Sequence, residues 1–171
     1  ESKCIYPQEM NGFRRHRSAV DNIIQLVSSV EEELDSGNIP IAIFLDIKQA
    51  FDSVTHAAIL TALAAHGFGG RLYSWIKDYL DGRQLFMHTP EGDTSYYPVR
   101  KGVPQGAVLS PLLFNLTLIQ LKRSLPRGVN ITLYADDICI WCASRSRRVT
   151  QQRLQKALFR ISTYLAARGL L

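Results

Sequence analysis

Two short stretches of the 171-residue chain set acids where apolar strands should end. ITLYADDICIW (residues 131–141) interrupts a β-branched run with Asp136 and Asp137, and IAIFLD (residues 41–46) closes on Asp46. A hairpin that needed only a turn would more often carry Asn-Gly or Asp-Gly. If the two strands are neighbours in one sheet, Asp46 and Asp136 come side by side. Unpaired carboxylates at 4 Å repel by about 4 kcal/mol at an effective dielectric of 20. Such a pair shares a proton or holds a cation. Oxygen-only ligands favour a hard ion, and Mg2+ takes one or two carboxylates together with waters and substrate phosphates. Two such ions can clamp the attacking and leaving oxygens of a phosphoryl transfer. The acids therefore read as a divalent-metal seat carried to the edge of a sheet by a tight turn.

The elements that must position this seat are legible in outline. The opening, through NGFRRHR, is irregular and basic. Ser18 with Asp21 three residues on resembles a capping box. Val20, Ile23, Ile24, Val27, Val30 and Leu34 keep helical spacing from there, and Gly37 ends the helix. After the strand at 41–46, helices are expected over about 56–65, stopped by Gly67, and about 71–80, stopped by Gly82. Asp52 is a candidate N-cap for the first of these. RQLFMH and SYYPVR flank PEGD as a β-hairpin. KGVPQGAVLSP is a Gly/Pro-rich loop leading into the apolar helix LLFNLTLIQL, with Ser110 as N-cap and Pro111 in its first turn. Residues 131–134 and 138–142 form the acid-bearing ribbon. The last helix sets Leu154, Leu158, Ile161 and Leu165 on one face and Arg153, Lys156 and Arg160 on another. Helices mixed with antiparallel hairpins point to an α+β fold with helices covering one face of a sheet.

Composition narrows the function classes. With 46% hydrophobic and 20% charged residues the chain has ordinary globular chemistry, and no apolar run approaches the ~20 residues that span a bilayer. Cys4, Cys139 and Cys142 are too few for a disulfide scaffold. CIWC would place its two thiols on opposite faces of a strand, which disfavours zinc or redox use and leaves reduced, intracellular cysteines. The four histidines show no metal-ligand spacing. The N-x-T triplets at Asn115 and Asn130 fall in an apolar helix and a core strand, against glycosylation. The net charge is +5, and from Ile138 onward there is no acid at all, a one-signed segment that suits a polyanion.

FLDIKQAFDSV, KGVPQGAVLSPLLFNL and YADD, in that order, resemble motifs A, B and C of a reverse transcriptase palm. NGFRRHRSAVDNI before them and AFDSVTHAAIL…YLDGRQ between them resemble a non-LTR (LINE-type) retrotransposon enzyme, and the resemblance covers essentially the whole chain. It implies a palm-type antiparallel sheet with partial fingers and no thumb, with residues 1–40 at the finger/palm edge and 41–171 as palm. It further implies an RNA-directed DNA polymerase that uses two Mg2+ ions, or Mn2+ in their place. The implied partners are an RNA template, a DNA primer, dNTPs and the remainder of a retrotransposon polyprotein, with no membrane. The setting is intracellular, and nuclear during target-site synthesis.

Carried over by position, Asp46 and Asp136 are the metal-binding aspartates, Ile47 lends a backbone carbonyl to one ion, and Asp137 is the second acid of the turn. Phe51 matches the aromatic floor under the sugar of the incoming nucleotide. Gln105 and its neighbour Gly106 match the loop that packs against the nascent base pair. Arg14, Arg15, Arg17, Arg153, Lys156 and Arg160 are candidates to touch nucleic acid. Gln49 stands where the family often carries Lys. The opening ESKCIYPQEM lacks an initiator Met and the chain stops at LAARGLL, where motif D would continue, so it reads as a piece truncated at both ends, inactive or weak by itself. Two alternatives stay open: a group II intron-type maturase, and a non-catalytic polymerase-like RNA-binding scaffold, which should have lost one of these acids.

Overall fold

A computed structural model describes residues 6–170. Cys4 lies outside them. In chain order the elements are helix α1 (Ala19–Asp35), strand β1 (Ile39–Asp46), helices α2 (Ala50–Ser53), α3 (His56–Ala65) and α4 (Gly70–Leu80), and strands β2 (Gln84–Leu85), β3 (His88–Thr89), β4 (Gly92–Asp93) and β5 (Tyr97–Pro98). Helices α5 (Ser110–Leu118) and α6 (Leu121–Ser124), strands β6 (Asn130–Tyr134) and β7 (Asp137–Ser144), and helix α7 (Arg147–Ala166) complete the chain. They group into two compact units, residues 1–48 with 118–171, and residues 49–117.

The first unit is built on a three-stranded antiparallel sheet in the order β1–β7–β6. The outer edge of β6 is covered by the chain's opening. Met10 pairs with Leu133 as a parallel bridge, the Asn11 N–H donates to the Leu133 carbonyl at 2.9 Å, and the Leu133 N–H donates to the Glu9 carbonyl at 2.7 Å. This bridge pairs the outward backbone groups of Leu133, which would otherwise stand open on the edge strand. The aliphatic face of the sheet packs on α7, which buries Leu154, Ala157, Ile161 and Leu165, much as the sequence spacing predicts.

The other face carries α1 as well, so the helical cover is not confined to one side. Adjacent strand residues point to opposite faces. The Cys142 thiol meets the Thr150 carbonyl of α7, while the Trp141 indole N–H donates to Ser29 Oγ of α1 at 2.8 Å. The capping box at the start of α1 is formed, with Asp21 accepting from the Ser18 N–H at 2.6 Å, and Gly37 ends the helix at φ +72°. Its orientation differs from the simple expectation. No α1 residue is fully buried; Val20, Ile23, Ile24, Val27 and Leu34 are exposed, and Asn22 and Ser29 face the sheet. The reason lies in the sheet, where the Trp141 N–H and the buried Thr132 hydroxyl donate to polar α1 side chains, Ser29 and Asn22.

In the second unit α3 and α4 pack together around Ile59, Leu63, Ile76 and Leu80. Thr55, not Asp52, caps α3, its hydroxyl accepting from the Ala58 N–H at 3.2 Å; Asp52 lies inside α2. The expected hairpin forms as β2–β5 and β3–β4. Two residues on one arm oppose three on the other between these pairs, a bulge that shifts the register by one. Ser110 is the first residue of α5, and its hydroxyl donates to the Pro104 carbonyl at 2.6 Å, holding the preceding loop instead of capping the helix.

Candidate active site

The acid-bearing turn is a two-residue connection, Ala135 and Asp136, closed by the Tyr134–Asp137 pair. Ala135 takes φ +54°, a left-handed conformation that a residue with a Cβ adopts at a cost of order 1 kcal/mol. Neighbouring backbone holds it there. Gly12 lies so close that a Cβ on it would sit 2.4 Å from Ala135 N and 3.1 Å from Tyr134 C. Nothing local in the sequence joins Gly12 to a turn so far along the chain.

Register then brings the acids together. Asp46, the last residue of β1, is the direct partner of Asp137, the first of β7, and the Ile47 N–H donates to the Asp136 carbonyl at 3.2 Å. Asp46 and Asp137 are exposed, Asp136 is half-buried, and Ile47 is buried. Asp46, Ile47, Asp136 and Asp137 thus share one end of the β1–β7 pair, with Asp137 rather than Asp136 as the direct cross-strand partner of Asp46. Among the described residues no three His, Cys, Asp or Glu side chains are gathered into a group that could hold a metal ion. The carboxylates of Asp46 and Asp136 and the Ile47 carbonyl are oxygen donors of the kind Mg2+ takes, one or two carboxylates with water and substrate phosphate in its other positions. The CIWC thiols offer no rival site. They belong to opposite faces, and burial pushes Cys139 up to about 11 and raises Cys142, so both stay protonated.

The second unit holds the nucleotide-site candidates. The half-buried Phe51 ring stacks on the fully buried Phe114, centroids 5.0 Å apart, so Phe114 fixes the plane of Phe51 from behind. Gly106, exposed, follows Gln105 with φ +85°. The segment after Phe51 and the Gly/Pro-rich loop are stitched together. Thr55 bridges Lys101, the Gly102 N–H donates to the Val54 carbonyl and the Val103 N–H to the Phe51 carbonyl, both at 2.7 Å. Gly102 permits the approach, because a Cβ there would lie 2.7 Å from the Asp52 carbonyl oxygen. Arg83 Nη2 clamps the far side, donating to the Gly102 carbonyl at 2.7 Å beside His56. From the loop, Gln105 Nε2 donates to both carboxylate oxygens of Asp52 at 3.0 Å.

Residues 2–171 match the family model described as Reverse transcriptase (RNA-dependent DNA polymerase). The chain belongs to the reverse transcriptase family. Its relatives are polymerases of non-LTR retrotransposons. It is 31% identical over 171 residues to the Drosophila melanogaster protein named "Probable RNA-directed DNA polymerase from transposon X-element", covering 96% of this chain and 18% of that protein. It is 30% identical over 158 residues to the RNA-directed DNA polymerase from mobile element jockey of the same fly, covering 89% and 17%. The chain thus spans less than a fifth of the length of the relatives it matches. The fold is shared with telomerase. The Candida albicans telomerase in complex with the TWJ fragment of telomeric RNA superposes with a TM-score of 0.71 at 12% identity, covering 95% of this chain and 30% of that one. Telomerase from Candida tropicalis gives 0.70 at 14%, covering 95% and 34%.

The basic residues of this reverse transcriptase domain divide into two kinds. Arg14 is committed to structure, donating to the Pro7 and Met10 carbonyls at 2.8 and 2.9 Å. Arg15 and Arg17 are exposed. On α7, Arg153 and Lys156 are exposed, and Arg160, also exposed, spends one N–H on the Ser124 carbonyl at 3.0 Å. Phe159, 73% exposed, lies among them as an aromatic surface. Sequence reasoning missed Gly12, Arg83 and the pairing of Asp52 with Gln105. Gly12 carried a faint signal in standing next to a basic run that serves no obvious strand or helix. No helix among the described residues is long and apolar enough to cross a membrane.

Proposed function

We propose that this chain is the palm-centred part of an RNA-directed DNA polymerase that extends a DNA primer on an RNA template, within a longer retrotransposon protein. The observation that supports it most is the register pairing Asp46 with Asp137 beside the Asp136 turn, in a chain of the reverse transcriptase family. In the reaction the primer 3′-hydroxyl oxygen bonds to the α-phosphorus of a dNTP. The bond to the bridging oxygen breaks, pyrophosphate leaves with its electron pair, and the hydroxyl proton passes to solvent. Asp46, Asp136 and the Ile47 carbonyl would hold two Mg2+ ions, which when bound supply charge neutralisation at the attacking and leaving oxygens. Asp137 helps keep the hairpin end negative. Phe51 supports the deoxyribose and leaves no room or polar partner for a 2′-hydroxyl. Gln105 and Gly106 line the nascent pair, and Arg15, Arg17, Arg153, Lys156 and Arg160 lie against nucleic-acid phosphates. The intact acid set favours a polymerase over an inert scaffold, and the retrotransposon relatives favour that origin over an intron maturase.

The test is primer extension on an RNA template by the intact protein, wild type against Asp136→Asn. Metal clamping supplies several kcal/mol, and each 1.36 kcal/mol is about tenfold in rate, so a loss of roughly a thousandfold is expected. Extension by the variant within tenfold of wild type refutes the assignment.

A further inference from the structure

We infer that Asp52 is a positioning residue for Gln105, holding its side-chain amide in a single orientation. A carboxylate has only acceptor atoms, so the end of Gln105 that lies 3.0 Å from both Asp52 oxygens must be Nε2, the donor. Gln105 Oε1 is thereby left as the amide's free acceptor. An exposed glutamine with no such partner flips its amide freely and offers donor and acceptor alike.

Both side chains are exposed, so in an ordinary loop their hydrogen bond would be a weak tether. Here the backbones are already locked. The Val103 N–H is bonded to the Phe51 carbonyl and the Gly102 N–H to the Val54 carbonyl, Gly102 sits against Asp52 too closely for any Cβ, and the Ser110 hydroxyl holds Pro104. With both ends fixed, the pair orders two side chains and no loop. Asp52 does not cap α3, a task done by Thr55, so its carboxylate is free for this role. The same stitching ties Gln105 to the residue that follows Phe51, linking these two nucleotide-site candidates through one short ladder. The inference rests on the proposed role of Gln105 at the nascent base pair.

The experiment is single-nucleotide incorporation by the intact protein, with kcat and KM for dNTP measured in wild type, Asp52→Ala, Gln105→Ala, the double variant and Asp52→Asn. Asp52→Ala should raise KM for dNTP about fivefold or more with kcat changed less than threefold, and Gln105→Ala should do the same or worse. The double variant should be no worse than Gln105→Ala alone, because the carboxylate acts through the amide it has lost. Asp52→Asn should recover part of the loss, since its Oδ1 still accepts from Nε2. Effects of Asp52→Ala that multiply with those of Gln105→Ala overturn the positioning role, as does an Asp52→Ala defect beside a neutral Gln105→Ala. If Asp136→Asn is as active as wild type, the polymerase reading itself has failed, a different result from either. The pairing is read independently of activity by the side-chain amide resonance of Gln105 in the 15N-labelled protein. That resonance should move to the position of a free glutamine in Asp52→Ala, and no movement overturns the inference.

Discussion

Replacing Gly12 by Ala should impair the acid-bearing turn from a residue that carries no functional group. The new Cβ would lie 2.4 Å from Ala135 N, 3.1 Å from Tyr134 C and 3.3 Å from Ala135 Cα, all of them backbone atoms. Ordinary contact begins at 3.4 Å, so roughly 1 Å must open between two stretches of main chain. Neither yields easily. The hydrogen bonds of Asn11 and Glu9 with Leu133 hold one side, and the Tyr134–Asp137 pair closes the other. Overpacking of this kind costs about 1–3 kcal/mol of stability, which for a domain of this size lowers Tm by roughly 2–12 °C. A displacement of about 1 Å at reacting groups costs on the order of a hundredfold in rate. The assay is single-nucleotide incorporation together with thermal melting of the intact protein. Gly69→Ala serves as the comparison, since a Cβ at Gly69 meets nothing within 4 Å. A Gly12→Ala protein with kcat within threefold of wild type and an unchanged Tm would show that the turn does not depend on this contact.

Acidification should loosen the second unit through His56, whose pKa lies below the ordinary 6.5, mainly because it is partly buried, with Arg83 adding to the effect and the Gly102 carbonyl and Asp81 opposing it. The unfolded chain then binds the proton more readily than the fold does, so this stability is full above about pH 6.5 and is lost as pH falls through the lower folded value. Tm measured from pH 7.5 to 5 should fall less in His56→Gln than in wild type, and parallel curves would rule His56 out as a source. Reversing Arg153, Lys156 and Arg160 to Glu should flatten the salt dependence of nucleic-acid affinity. Each phosphate contact adds about 0.7–0.9 to the slope of log K against log salt. An unchanged slope in a filter-binding series would leave these residues as a solvated helix face.

Much of the candidate site was legible because its chemistry contradicts its surroundings. Asp46, Asp136 and Asp137 stand at the ends of apolar strands, where no solvated-loop explanation suits them, and the sheet register places them together. The caps of α1 and the seam of α7 were legible for a local reason, since Ser18, Asp21 and Gly37 act within one or two turns of their own position. The errors fall where local rules leave two answers. Asp52 and Thr55 are both good N-caps, and only the docking of the Gln105 loop shows why the carboxylate was released from that task. Ser110 likewise has a cap's chemistry and spends it on Pro104. The period of α1 correctly gives a helix, but periodicity does not say which stripe faces the sheet. Trp141 and Thr132 decide that, and they lie over a hundred residues away.

The strained backbone follows the same logic. Among the described residues only Phe13, His16, Gln49 and Ala135 take positive φ without being glycine. Ala135 carries the acid turn, Phe13 follows the glycine packed against that turn, and Gln49 stands three residues after Asp46. None of these has the Asn-Gly or Asp-Gly chemistry by which a left-handed residue is normally foreseen. Each costs free energy that a freely chosen turn would avoid. Their grouping in sequence with Asp46, Asp136 and Gly12 is what a site built to fix charge, at some expense of local stability, should produce. Ala135→Gly relaxes the φ strain while keeping Asp136 in place. It should therefore raise Tm slightly, because about 1–2 kcal/mol of left-handed strain exceeds the roughly 0.4–1 kcal/mol by which glycine favours the unfolded chain, and a lowered Tm in thermal melting refutes the strain.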